Sequence, residues 1–287
     1  GFSFAAIALV STANAEGDNA KIRRITRMAL WLSLAFGLLV SPIFVLSERL
    51  LLFLGQEFNL AALASDYLIF SGIAIFPALS ASVLRCYLAG MEYVKVTFYI
   101  SIIAVLLNLL VNYLLVFGMF GLPELGIVGA GIATVFVNLF MFISFLIYAK
   151  IILPQHNLFV RFWRPDRGVI GLVLKMGSAI GITSLAEAGL FSASSIMMGW
   201  VGQLELAAHG IALQLASITF MLHLGLSDAA TIRVSSALGK KDKNEIIIEC
   251  WAAIVISLGL SFLAILIFLG FPKFLISAFL NSEELNA

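Results

Sequence analysis

Charged residues are scarce in this sequence. They make up 11% of its 287 residues, whereas hydrophobic residues make up 62% and the mean hydropathy is +1.08. A soluble domain has about 25% charged residues, so this chain has too few to cover a water-soluble globule of its size. Its 17 basic and 16 acidic residues nearly cancel, which excludes a nucleic-acid binder that works by bulk positive charge.

Cysteine is also rare, and the motifs of common enzymes are missing. Cys86 and Cys250 lie far apart and outside any CxxC or His-bearing cluster, so neither a disulfide framework nor a zinc site is indicated and we expect two free, buried thiols. The sequence has no HExxH, GxSxG or GxxxxGK[ST] motif. These absences argue against an enzyme and against direct use of ATP, and no cofactor is predicted.

Long apolar segments are abundant. Seven of them approach or exceed the roughly 20 residues that a helix needs to cross the hydrocarbon layer. They are residues 28–47, 67–84, 96–118, 125–149, 176–202, 206–232 and 250–271. They lack the alternation of barrel strands, and a helix satisfies its own backbone inside lipid. The sequence therefore predicts an all-α, polytopic membrane protein with seven complete spans, a partial span at 1–13 and a short amphipathic helix at 48–66.

The basic residues are distributed unevenly among the loops between these spans. Fifteen of the seventeen lie in loops that would face one side, and only Arg49 and Lys273 lie in the others. Since Lys and Arg concentrate on the cytoplasmic side, we expect the first set to face the cytoplasm. The expected location is a plasma membrane, the bacterial inner membrane, crossed several times.

The sequence also contains an internal repeat. Residues 1–54 align without a gap with residues 225–278, and the alignment pairs Gly1 with Gly225 and Asp18 with Asp242. Such symmetry is typical of duplicated transporters. Both copies carry a basic loop at the same point and so face the same way, which predicts a parallel repeat of two six-helix halves.

The duplication predicts where the lobes lie and what a complete chain would add. We expect an amino-terminal lobe at 1–155, a cytoplasmic linker at 156–168 and a carboxy-terminal lobe at 169–287. Under the same symmetry, roughly 55 to 60 residues would precede this sequence and on the order of 90 would follow it. The sequence is then a fragment without the first and the last helices.

Two parts of the chain resemble signatures of the multidrug and toxic compound extrusion (MATE) family. Residues 121–134, GLPELGIVGAGIAT, resemble its fifth-to-sixth helix signature, and residues 206–212 and 225–239 resemble its eighth-helix signature. One departure is Gly210, where the family commonly has Gln. The resemblance covers essentially the whole chain. It implies a two-lobed helical bundle that exports drugs or organic cations in exchange for sodium or protons.

Glu187 is the first candidate for a functional residue because it lies near the middle of the span 176–202. An ionisable group there costs about 2.5–3.5 kcal/mol on insertion scales. Thr183 and Ser184 supply hydroxyls that would complete a binding site for a cation such as sodium. The alternative is a protonated Glu187 that bonds to a neighbouring helix. By the resemblance, Glu187 matches the family's seventh-helix acid implicated in cation coupling.

Four further residues are candidates for cation or substrate binding. Asn108 and Asn112 are four residues apart and so share one helix face, where amides bind a cation or bridge helices. By the resemblance, some family members couple protons through an Asn and an Asp at this spacing, with a threonine that Thr134 matches. Asn112 cannot take up a proton near neutral pH, which argues against this route. Asp228, about one turn from the end of its span, either snorkels to the interface or takes part in coupling.

Two functions remain open at this point. The first is a secondary antiporter for amphipathic or cationic small molecules, driven by sodium or protons across a lipid bilayer. The second is a flippase for lipid-linked precursors with a related two-lobed design. A flippase favours several cationic residues inside its cavity, and the sequence has none at membrane depth away from the loop ends. The sequence therefore favours the antiporter.

Overall fold

The computed structural model describes residues 1–53, 55, 57–121, 123–158, 160, 162–272 and 275. Helices account for nearly all of this part of the chain. They are α1 (Phe2–Ala15), α2 (Asn19–Val45), α3 (Ser47–Phe53), α4 (Phe58–Gly90), α5 (Val94–Val116), α6 (Gly126–Ile152), α7 (Arg167–Val201), α8 (Gln203–Lys240) and α9 (Lys243–Gly270). Within the described residues, seven helices, α2 and α4 to α9, are long and apolar enough to cross a membrane. The predicted all-α fold with seven spans is confirmed.

Two local predictions are wrong. The segment 48–66 is not one separate amphipathic helix, because α3 ends at Phe53 and α4 already begins at Phe58. The run 60–65 is apolar apart from Ser65 and continues into the following span, so the helix has no reason to stop there. Cys86 is buried as expected, whereas Cys250 is exposed because none of the residues of α9 is buried.

The chain divides into two compact units, residues 1–180 and 181–287. In the first unit α4 lies at the centre and packs against α1, α2, α3, α5 and α6. Its core contains the fully buried side chains of Tyr87 and Phe145. The beginning of α7 belongs to this unit, where Val173 packs against Ala29 and Val83. The lobe boundaries predicted at 156–168 stay a prediction.

In the second unit α8 packs along α9. The second half of α7 contributes Phe191, whose ring meets Phe220 of α8 edge-on at 6.1 Å between centroids. Much of this unit is exposed, including the large apolar side chains of Leu185 and Leu190 on α7.

A close approach of helix backbones holds α5 and α6 together. A Cβ atom on Gly129 would lie 2.6 Å from the carbonyl oxygen of Leu115 in α5. A Cβ atom on Gly131 would lie 2.8 Å from Cβ of Phe70 in α4. Small residues permit such contacts between membrane helices. Glycine is therefore required where α6 crosses its neighbours.

The internal repeat is visible in two helix–helix junctions, one in each unit. Gly17 (φ +73°) and Lys241 (φ +59°) occupy equivalent positions and end α1 and α8 in the left-handed conformation. The next residue, Asp18 or Asp242, is the N-cap of the following helix. Asp18 accepts a hydrogen bond from the backbone of Lys21 at 2.8 Å, and Asp242 accepts two of 3.0 Å. The aspartates paired by the sequence repeat thus have the same local function as N-caps.

Each junction also carries an ion pair, and the two pairs have opposite orientation. Lys21 Nζ lies 2.7 Å from Glu16 Oε2, and Lys240 Nζ lies 2.9 Å from Glu245 Oε1. In the alignment of the repeat, Glu16 corresponds to Lys240 and Lys21 corresponds to Glu245. The two copies therefore retain the interaction with its charges exchanged.

Candidate functional site

Asn108 and Asn112 lie together on one face of α5. The side-chain Nδ2 of Asn112 donates to the backbone oxygen of Asn108 at 2.9 Å and to its Oδ1 at 3.1 Å. Both residues are half-buried. Because the amide nitrogen of Asn112 is directed at Asn108, its own carbonyl oxygen points away from that neighbour, which is the polarity that suits a cation.

Thr134 lies on α6 in the same unit and is half-buried. Its hydroxyl donates to the backbone oxygen of Ala130 at 2.9 Å, one turn back along the helix. Asn138 Nδ2 in turn donates to the backbone oxygen of Thr134 at 2.9 Å. The Thr134 hydroxyl thus has its hydrogen engaged locally and offers lone pairs to a ligand.

Glu187 lies at the middle of α7, about 30 Å from the first residue of the helix and about 21 Å from the last. Its side chain is exposed on the second unit, as are Thr183, Ser184 and Ala186. A Cβ on Gly189 would meet nothing within 4 Å. Glu187 therefore lies on an exposed part of α7, which also includes the large side chains of Leu185 and Leu190.

Asp228 lies on α8 and is half-buried. The helix does not end shortly after it, because α8 continues to Lys240, about 18 Å further along the axis. The adjacent Ser227 lines a cavity of about 350 Å³ together with His223, Ala230 and Ser257. Asp228 thus lies within the body of a long helix, and its sequence neighbour Ser227 lines a cavity of the second unit.

A metal site built only from strong ligands is not found. In the part of the chain that the structure describes, no three His, Cys, Asp or Glu side chains come close enough together to hold an ion. Sodium also accepts neutral oxygen ligands, and Thr183 and Ser184 lie within one turn of Glu187. The set of Glu187 with these hydroxyls stays a prediction for such an ion.

The structure pairs Asn108 with Asn112 and places Thr134 in the same unit, while Glu187 and Asp228 belong to the other unit. His223 was not predicted as a site residue, yet both nitrogens of its ring have hydrogen-bond partners. Its Nδ1 donates to the backbone oxygen of Thr219 at 2.9 Å, and its Nε2 pairs with Ser261 Oγ at 3.0 Å. A carbonyl oxygen only accepts, so Nδ1 of His223 carries a hydrogen.

Sequence reasoning missed a buried hydrogen-bond network around His156. Its Nε2 pairs with Asn19 Oδ1 at 3.1 Å, and its Nδ1 pairs with the hydroxyl of Tyr87 at 2.5 Å. His156 lies outside the spanning segments, and burial lowers its pKa. The three residues come from α2, α4 and the short turn Pro154–His156, so no local pattern could have brought them together.

Comparisons with known proteins agree with this architecture. The MatE family model matches residues 1–114 and 179–287. A probable multidrug resistance protein NorM of Agrobacterium fabrum is 44% identical over 285 residues, which is 99% of this chain and 61% of that protein. The corresponding NorM of Rhizobium meliloti is 42% identical and covers 100% of this chain and 62% of that protein.

Solved structures show the same fold at lower identity. The crystal structure of the eukaryotic MATE transporter AtDTX14 superposes with a TM-score of 0.83 at 18% identity and covers 99% of this chain and 63% of that one. An outward-facing multidrug resistance transporter of the MOP superfamily gives 0.80 at 17% identity, with 98% and 62% covered. The chain thus spans about three fifths of the length of the proteins it matches.

Proposed function

Since the chain belongs to the MATE family, we propose that it functions as a multidrug efflux transporter, a secondary antiporter that exports amphipathic or cationic small molecules. Within the described residues, seven helices are long and apolar enough to cross a membrane, so the protein is a multi-pass membrane protein. Because its NorM relatives come from bacteria, we place it in the bacterial inner membrane. The energy comes from sodium or protons that move inward down their gradient. The family consists of transporters, so no chemical reaction is assigned.

The observation that carries the proposal is the position of Glu187. A carboxylate halfway along an apolar helix of 35 residues is costly in lipid and calls for a partner of opposite charge. A coupling cation and a cationic substrate are both such partners. When both compete for one carboxylate, binding of the inward-moving cation displaces the substrate on the outside, which is the requirement for exchange.

The amino-terminal unit contributes to the same function with neutral groups. The Asn108 and Asn112 amides and the Thr134 hydroxyl offer oxygen atoms without a charge that titrates near neutral pH. We assign them to the binding of substrate or cation. Asp228 is assigned a secondary role in coupling, because it is a half-buried carboxylate within the body of α8.

The test is the substitution Glu187→Gln in the full-length gene product. It removes the charge and keeps the size of the side chain. We expect gradient-driven efflux of a fluorescent cationic dye from proteoliposomes to fall to the level of empty vesicles. Imposed sodium and pH gradients are compared in parallel arms, and the gradient that drives efflux in the unaltered protein identifies the coupling ion.

A matched control uses Glu205, an exposed glutamate in the first turn of α8. Glu205→Gln removes the same charge near the end of a helix and should leave efflux unchanged. Because Glu187 is exposed, its substitution should also leave the unfolding temperature unchanged. Full efflux by the Glu187→Gln variant under both gradients would remove Glu187 from the mechanism.

A further inference from the structure

A cluster of positive charge surrounds the start of α2. Arg27 is within electrostatic reach of three more arginines, Arg23, Arg24 and Arg164, and of a single carboxylate, Asp166. Arg24 Nη1 lies 3.4 Å from Asp166 Oδ2, so one of the positive charges is balanced. Three positive charges remain in excess at this end of the first unit.

Around the cluster, α2 makes contacts with Val160, Phe162 and Asp166. Trp31 Nε1 donates to the backbone oxygen of Phe162 at 2.9 Å, and the two rings stack with centroids 5.8 Å apart. Arg27 Nη1 donates to the backbone oxygen of Val160 at 3.4 Å. These contacts bring Arg164, on the same segment, near the arginines of α2.

The cluster has two features that a phosphate-bearing amphiphile requires. Trp31 is 45% and Trp163 is 76% exposed beside it, and exposed tryptophans favour the headgroup level of a bilayer. A cavity of about 470 Å³ with Leu153, Leu158 and Lys150 in its wall opens next to it. Val160 joins the two, because it lines the cavity and its oxygen accepts from Arg27.

We propose that this patch is a binding site for the headgroup of an anionic phospholipid. The site consists of Arg23, Arg24 and Arg164 for the phosphate, of Trp31 and Trp163 at the glycerol level, and of the neighbouring cavity. The argument for a lipid rests on position, because α2 is a spanning helix and the patch lies in its first turns, where a bilayer presents its phosphates. Arginine forms bidentate hydrogen bonds with phosphate, which suits a specific site.

The test uses the full chain in detergent and short-chain phosphatidylglycerol, with phosphatidylcholine of the same chain length as the neutral lipid. Binding is followed by native mass spectrometry and by the shift in unfolding temperature during titration. We expect saturable binding of phosphatidylglycerol and no comparable binding of phosphatidylcholine. Inorganic phosphate and glycerol phosphate, which lack acyl chains, form separate arms and should bind far more weakly.

Arg23→Gln with Arg164→Gln is the diagnostic variant, since neither residue belongs to the ion pair with Asp166. Each basic residue near an anionic surface is worth roughly a factor of five, so the double variant should bind phosphatidylglycerol roughly 25-fold more weakly. If the double variant fails to fold, Arg164→Gln alone changes one exposed residue. This single variant should bind phosphatidylglycerol roughly fivefold more weakly.

The repeat provides a matched control. Lys241→Gln with Lys243→Gln removes two exposed positive charges from the α8–α9 junction, where the repeat places another basic loop, and should leave the affinity unchanged. The proposal is overturned if the arginine variant binds as tightly as the unaltered chain, or if the lysine variant loses as much affinity. It is also overturned if inorganic phosphate or glycerol phosphate binds as tightly as the lipid, since the site would then be one for free phosphate.

Discussion

Acidification should destabilise the chain through His156. In the folded chain its Nε2 donates to Asn19 Oδ1 and its Nδ1 accepts from the hydroxyl of Tyr87, so the neutral ring fits its partners on both sides. A second proton on Nδ1 would confront the Tyr87 hydroxyl with another donor. It would also place a charge where His156 is 1% and Tyr87 0% exposed.

The sign and size of this change in stability follow from the linkage between protonation and folding. Burial lowers the pKa of His156 below that of an unfolded histidine, about 6.5. Below that pH the unfolded chain binds the proton and the folded chain resists it, so stability is complete above about 6.5 and is lost as the pH falls. The slope is at most about 1.4 kcal/mol per pH unit, and the loss between pH 7.5 and 5.5 is then at most about 1.4 kcal/mol.

The assay is denaturant unfolding in mild detergent, followed by tryptophan fluorescence at pH 7.5, 6.5 and 5.5. Other groups also titrate in this range, so the quantity compared is the difference in unfolding free energy between the unaltered chain and His156→Gln. Glutamine cannot take up the proton, and the difference should narrow or reverse as the pH falls. A difference that stays constant over the three pH values would refute the assignment of His156 as a buried, neutral partner of Tyr87.

Two further predictions concern packing and the junctions. Gly129→Ala should lower the free energy of unfolding by about 1–3 kcal/mol, because the new Cβ meets the backbone of Leu115 at 2.6 Å. The control Gly225→Ala, whose Cβ has nothing within 4 Å, should be neutral or stabilising. Equal thermal midpoints for the two variants would contradict the close approach of α6 to Leu115. Exchanging the charges of Glu16 and Lys21 together should preserve stability, while either single change should cost a few tenths of a kcal/mol up to about 1 kcal/mol. A double-mutant cycle that yields no coupling would show that the pair is not an interaction.

Much of the fold could be predicted from hydrophobicity, because length and apolar composition determine which segments cross a membrane. Each of the seven predicted segments lies on one of the helices α2 and α4 to α9, with at most two residues beyond the end of that helix. Helix ends were less predictable. The helix α8 continues to Lys240, because polar residues that are unfavourable in lipid still form a helix outside the membrane. The error at 48–66 has the same origin, since hydropathy marks the lipid boundary and not the end of the hydrogen-bonded helix.

The candidate site was predictable only where it depends on spacing within one helix. Asn108 and Asn112 meet because residues four apart share a face. The network of Asn19, Tyr87 and His156 joins three distant segments, and only the packed fold brings them together. The roles of Glu187, Asp228 and Thr134 stay predictions that transport measurements decide.

The reversed ion pairs at the two junctions say something about how duplicated halves diverge. A route from Glu16–Lys21 to an arrangement like Lys240–Glu245 passes through an intermediate with two like charges, unless both positions change at once. At side chains about one third exposed, that intermediate loses little free energy and is tolerated. Both copies keep the attraction between the two positions, although the residues that provide it differ. A comparison of the halves that scores identity counts these positions as mismatches, although both halves have an ion pair there.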